Sequence, residues 1–172
     1  MKTKPLFNAE QIQERVSKLA EEINRSYTPE TEVVCTCVAN GAFIFYADLV
    51  RQLKCRVVFD VVVLSSYRGR ASTGKVKVVK KLSRVIKNRH VLIVEDIIDS
   101  GLTMNTLQTI IKVEEPKSLL TVSLLKRRHQ KYVCDIDYYG FEVAVHDFLI
   151  GYGLDGGTNY NPMLETISLV VK

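Results

Sequence analysis

VLIVEDIIDSGLT, residues 91–103, decides how this chain is read. Val91 to Val94 are aliphatic and form a short buried strand by their pattern. Glu95 and Asp96 follow at once, and Asp99 stands beside Ser100, Gly101 and Thr103. Neighbouring carboxylates repel each other and lose hydration when a strand end holds them still. A fold tolerates that where a cation, sugar hydroxyls or donated hydrogen bonds compensate. The small residues that follow suit a phosphate, because hydroxyls and free backbone N–H groups gather at a helix start. A solvated strand end with Asp99 as the helix N-cap is the plain alternative. Within this stretch there is neither the dinucleotide fingerprint GxGxxG nor a P-loop Gly-Lys-Ser/Thr.

Outward from that stretch, strands and helices alternate. On the N-terminal side, Asn8 with Gln11 has the form of an N-cap and its capping-box partner. Ile12, Val16, Leu19, Ala20 and Ile23 then repeat at helical spacing, so one helix face packs inward. EVVCTCVANG (32–41) reads as a buried strand ending in a glycine turn, AFIFYADLVRQLK (42–54) as a helix, and CRVVFDVVVLSS (55–66) as a long strand. YRGRASTGK (67–75) reads as an exposed mobile loop joining antiparallel strands, since VKVV resumes strand character. Beyond the opening stretch come a helix from about Thr103 to Val113, ended by Glu114-Glu115-Pro116, and a strand SLLTVSLL (118–125). From Lys126 the chain reads as irregular, with short strand-like pieces. This order predicts one α/β domain with a mainly parallel sheet.

In such sheets ligands sit outside the carboxyl ends of the strands. Three strands deliver small or polar residues there: Ala39-Asn40-Gly41, Glu95 to Thr103, and Lys126-Arg127. A site along that edge is the expectation.

Bulk properties agree. The chain has 172 residues, which suits one domain with a sizeable core. Its net charge of +5 and pI near 9.0 are scattered rather than striped, which fits a cleft for small phosphorylated anions better than nucleic acid. Cys35, Cys37, Cys55 and Cys134 lack metal-ligand spacing and read as small hydrophobes of a reducing cytosol. MKTKPLFNAE has no apolar leader-like core, and no run has membrane-spanning length, so a soluble cytoplasmic protein is expected. KRRHQK (126–131) reads as a solvated loop with its first basic residues turned into the site; His129, like His90 and His146, is given no catalytic role.

At this point three motifs resemble a known family. VEDIIDSG resembles the phosphoribosyl pyrophosphate signature of type I phosphoribosyltransferases, in a form close to the hypoxanthine–guanine branch. SSYRGRASTG resembles that family's mobile catalytic loop, and HDFLIGYGLD its purine-binding segment. The resemblance covers nearly the whole chain. It implies a five-stranded, mainly parallel sheet flanked by helices (about 30–130) under a small hood built from about 1–15 and 131–172, all one domain.

It also implies a purine-salvage reaction. The phosphoribosyl group passes from phosphoribosyl pyrophosphate to hypoxanthine or guanine with Mg2+, in an enzyme that forms dimers or tetramers. Residue by residue, Glu95 and Asp96 lie under the ribose hydroxyls and, with Asp155, serve magnesium. Asp99, Ser100, Gly101, Leu102 and Thr103 wrap the 5′-phosphate, and Asp99 accepts a proton from purine N7. Ile98, Arg127, Phe148 and Leu149 hold the base, with Asp155 nearby. Ala39, Asn40, Gly41, Ser66, Tyr67 and Asn161 face pyrophosphate, Tyr67 from the catalytic loop. Arg127 stands where the family has lysine, and Asn40 and Asn161 stand where it usually has basic residues. Other readings are a shift of base preference towards xanthine, or a weakly active, nucleotide-binding regulator.

Overall fold

The computed structural model describes residues 2–66, 76–129, 131–154 and 161–171. Along the chain run β1 (Lys2–Phe7), α1 (Ala9–Asn24), β2 (Glu32–Ala39), α2 (Phe43–Val50), β3 (Arg56–Ser66) and β4 (Val76–Lys80). They are followed by β5 (His90–Ile98), α3 (Leu102–Val113), β6 (Ser118–Arg127), β7 (Tyr138–Val143), β8 (Leu149–Ile150) and β9 (Ile167–Val171).

The larger sheet has the order β4-β3-β2-β5-β6-β7. Five of its strands are parallel neighbours, and β4 returns antiparallel on β3. Alternation along the strands divides the core. Cys35, Cys37, Leu92 and Val94 face α1 and α2, where Ile12, Val16, Leu19, Phe45 and Leu49 are buried. Val34, Val38, Val91 and Ile93 face α3 with Met104, Leu107 and Ile111. Each fully buried aliphatic contributes about 1.5–3 kcal/mol. Asn8 closes the expected capping box, its Oδ1 accepting from the Gln11 N–H while Gln11 Oε1 accepts from the Asn8 N–H.

A second sheet, β1-β9-β8, joins the two ends of the chain. Phe7 couples it to the larger sheet by stacking on Phe141 of β7, with ring centroids 4.0 Å apart. Three boundaries differ from expectation. The helix expected over 42–54 stops at Val50, because Asn24 captures the next turn: its Nδ2 donates to Gln52 O and its Oδ1 accepts from Lys54 N. The β5 ladder continues past Val94 to Ile98, so the acids lie inside a paired strand rather than beyond it. Tyr138–Val143, expected in the hood, instead extends the larger sheet as a fifth parallel strand, with Arg15 of α1 donating to its Tyr139 and Gly140 carbonyls. Among the described residues no helix is long and apolar enough to cross a membrane.

Candidate active site

The carboxyl ends of β2, β5 and β6 open into a cleft of about 600 Å³. Ala39, Asn40 and Gly41 line one wall, Glu95, Asp96 and Ile97 the floor, and Arg127, Phe148 and Leu149 the other wall. A smaller hollow of about 120 Å³, lined by Asp99, Ser100, Gly101, Leu102 and Thr103, adjoins it and shares Glu95, Ile97 and Thr103. Residues from four distant parts of the sequence therefore meet there: the three strand ends expected and the segment at Phe148 and Leu149.

Glu95 is 9% exposed. Burial, and after it the charge and hydrogen bonding of Asp96, push its carboxyl well above the ordinary carboxylate range. Glu95 Oε1 accepts from the Asp96 N–H, and Asp96 Oδ1 accepts from the Ile97 N–H. A Cβ at position 41 would lie 2.0 Å from Asp96 Oδ2, so any other residue there would displace that carboxylate. The preceding Ala39–Asn40 peptide is cis. Two hard carboxylates side by side, one deprived of water, suit a small divalent cation that keeps most of its ligands as water and substrate oxygen. Among the described residues no third Asp, Glu, His or Cys completes a protein cage. The pair fits a magnesium ion, which Glu95 and Asp96 would hold.

Gly101 turns the chain into α3 with φ 88°, a conformation that disfavours other residues. A Cβ there would also sit 2.5 Å from Cys134 Sγ. Gly101 itself is the N-cap and no side chain caps the helix, so Asp99 is not its cap. The first-turn N–H groups and the helix dipole are left facing the small hollow, as an anion requires.

Phe148, on the wall of the cleft, is 46% exposed. Its carbonyl accepts from Val170 N, and Leu149 pairs with Leu169, so β9 fixes this wall. The expectation for Ile98 is corrected. Its side chain is 2% exposed in the cluster with Val91 and Ile93, while Ile97 lines the cleft. Strict alternation from Val94 would place Ile98 on the α1 side; the side chains switch faces across the two acids.

Arg127 lines the cleft, with its Nη1 donating to the Ala144 and Val145 carbonyls. Lys126 points away, pairing with Glu142 at 2.8 Å and lying 3.9 Å over the Tyr139 ring. Asn40 lines the cleft, but Asn161 is not among its lining residues, and its Oδ1 accepts from Met163 N. Ser66 ends β3 opposite Val76. Tyr67 and Asp155 lie outside the described residues.

His129, given no role from the sequence, is the residue that reasoning missed. Its Nε2 lies 2.5 Å from Asp99 Oδ1, and Arg127 Nε lies 3.9 Å from Asp99 Oδ2. Nothing in KRRHQK signals this, because the contact depends on how the loop after β6 folds back. The thiols play no visible part: Cys35, Cys37 and Cys55 are buried, and burial, with the Glu95 and Asp96 charges, lifts Cys37 to about 12.

Comparison with known proteins follows this geometry. Residues 3–155 match the phosphoribosyl transferase domain family. A hypoxanthine-guanine phosphoribosyltransferase of Aquifex aeolicus is 43% identical over 171 residues, covering 98% of this chain and 95% of that protein. A hypoxanthine-guanine-xanthine phosphoribosyltransferase of Tritrichomonas foetus is 40% identical over 90% of this chain and 85% of its own. A crystal structure of a hypoxanthine-guanine phosphoribosyltransferase from Bacillus anthracis superposes with a TM-score of 0.88 at 38% identity, covering 99% of this chain and 100% of that one.

Proposed function

The chain belongs to the phosphoribosyl transferase family, and from that premise we propose that it salvages purines, converting hypoxanthine or guanine and phosphoribosyl pyrophosphate into the nucleoside 5′-monophosphate and pyrophosphate. It is a transferase by family, and the relatives named for hypoxanthine and guanine support the base class. The observation that carries the reading is the meeting of a half-exposed aromatic wall, an acid pair with one member buried and an uncapped helix start in two adjoining hollows.

In this reading the 5′-phosphate sits on the N–H groups and hydroxyls of Ser100 to Thr103, with Gly101 allowing close approach. Glu95 and Asp96 accept the ribose hydroxyls, and their charge favours the oxocarbenium character that develops at C1 as pyrophosphate leaves. Glu95 and Asp96 would hold magnesium, which when bound would neutralise charge on the departing pyrophosphate. Asp155 is assigned to the same role near pyrophosphate. Phe148 and Ile97 sandwich the base, Arg127 and the Leu149 backbone read its edge, and Asp99 accepts the N7 proton. Asn40, Gly41, Ser66 and Tyr67 face pyrophosphate, Tyr67 from a loop that excludes water during reaction. The enzyme works as a cytoplasmic homo-oligomer, a dimer or tetramer.

Steady-state rates with hypoxanthine, guanine, xanthine and adenine, each with phosphoribosyl pyrophosphate and magnesium, test this. Turnover of hypoxanthine and guanine, lost in excess chelator, is expected. Failure to accept any purine would overturn the reading. A second reading, xanthine use, rests on the resemblance by which Arg127, which lines the cleft, stands where the family has lysine. Its planar fork presents several donors, and two carbonyls hold Nη1.

A further inference from the structure

We propose that His129 is a positioning residue for Asp99, holding one carboxylate oxygen so that the other is presented to the base. This rests on the assignment of Asp99 as proton acceptor made above. Asp99 needs such a partner because its side chain is 64% exposed at the mouth of the small hollow. An exposed aspartate explores several rotamers, and only some place an oxygen within reach of N7.

The His129 ring stands 2.5 Å from Oδ1, a charge-assisted contact in which Nε2 carries the proton. Oδ2 is left facing Arg127 Nε at 3.9 Å, on the side of the cleft wall that Arg127 forms. A proton arriving from N7 goes to Oδ2, while Oδ1 continues to accept from His129. The same contact therefore serves Asp99 before and after proton transfer.

His129 is itself built in. Its N–H donates to Tyr132 Oη at 3.3 Å, Tyr132 Oη donates to the Arg127 carbonyl, and the rings of His129 and Tyr132 meet edge to face. Arg128 N donates to Val143 O of β7, and Val133 N to Ser100 O beside the hollow. The first bond fastens the loop to β7 and the second to the residue next to Asp99. Among the described residues the charged groups near the pair and its Tyr132 support include Arg127 and Lys126, whose Nζ lies 5.3 Å from the Tyr132 ring centroid.

Four proteins test this: His129→Leu, His129→Gln, Asp99→Asn, and the double variant His129→Leu/Asp99→Asn. The readouts are the single-turnover rate of nucleotide formation and the KM for phosphoribosyl pyrophosphate. His129→Leu should slow the chemical step about threefold to thirtyfold and leave KM within about twofold. Glutamine keeps an N–H donor at similar reach and should recover most of the rate. In the Asp99→Asn background, His129→Leu should cause no further loss. The proposal is overturned if Asp99→Asn is impaired while His129→Leu is fully active. An equal loss from His129→Leu in both backgrounds, or no recovery with glutamine, overturns it as well. Near-normal turnover of Asp99→Asn removes the base assignment itself, a different result with a different signature.

Discussion

Asp99, Glu95 and Asn40 carry separable tests at the scale of single residues. General-base help is worth about 10²–10⁴-fold, so Asp99→Asn should lower turnover by that factor and leave nucleotide affinity within about twofold. Near-normal turnover would sink the assignment. Glu95 has the opposite balance between stability and function. Its folded-state carboxyl is raised, so its contribution to stability is full below the ordinary carboxylate range and is lost as pH rises through the raised value. In chelator at pH 8, Glu95→Gln should therefore melt roughly 2–4 °C higher, the equivalent of about 1 kcal/mol for a chain of this size. The gap should close by pH 4 while activity is lost at every pH. Asn40 lines the cleft, so Asn40→Lys should tighten phosphoribosyl pyrophosphate binding roughly threefold to thirtyfold at low salt, less at high salt. Unchanged dissociation constants at both ionic strengths would mean another cation already fills that place. Glu95 and Asp99 were legible because acids, glycine and hydroxyls crowd into one short stretch, and Asn40 because it ends a strand beside Gly41. Ile97 and His129 were not: one depends on a local switch of strand face, the other on a contact 30 residues apart.

Elements show where a single side chain fastens two pieces of chain. Asp60 of β3 is 4% exposed and accepts from the N–H groups of Val61, Ser83 and Arg84 and from Ser83 Oγ. Burial alone would raise its carboxyl, but these donors, Ser83 Oγ foremost, outweigh burial and hold it below the ordinary range. The stabilisation is thus present above the ordinary carboxylate range and is lost as pH falls through the lowered value. Asp60→Ala should cost about 2–3 kcal/mol at pH 7, seen as a melting temperature roughly 4–12 °C lower, and the difference should shrink below about pH 4. An unchanged melting temperature at neutral pH would contradict the argument. Most elements could be read from periodicity, since α1 and the parallel strands follow their patterns closely. The ends of α2 and β5 could not, because Asn24 and the β6 ladder lie far away in sequence. β7 was hidden by its composition: Tyr138 and Tyr139 beside Gly140 look like a loop, and only pairing with β6 makes them a strand.

At the scale of the whole molecule, the hood sheet holds the base wall. β1 pairs with β9, and β9 in turn fixes Phe148 and Leu149. Deleting residues 2–6 should raise KM for the purine about fivefold, as for a loss near 1 kcal/mol, and leave KM for phosphoribosyl pyrophosphate within about twofold. Equal effects on both would show that the two sheets work as one support. The order of the larger sheet has a consequence of another kind, in time rather than energy. Its five parallel neighbours cannot be joined by hairpins, and its centre, β5, must await β2 from one side and β6 from the other. Such non-local pairings place folding towards the millisecond-to-second range. The cleft draws on β2, β5, β6 and the segment at β8, so no partial assembly contains it. Recovery of ligand binding after dilution from denaturant should then lag the return of helical signal, and that lag would time the docking of the last strand.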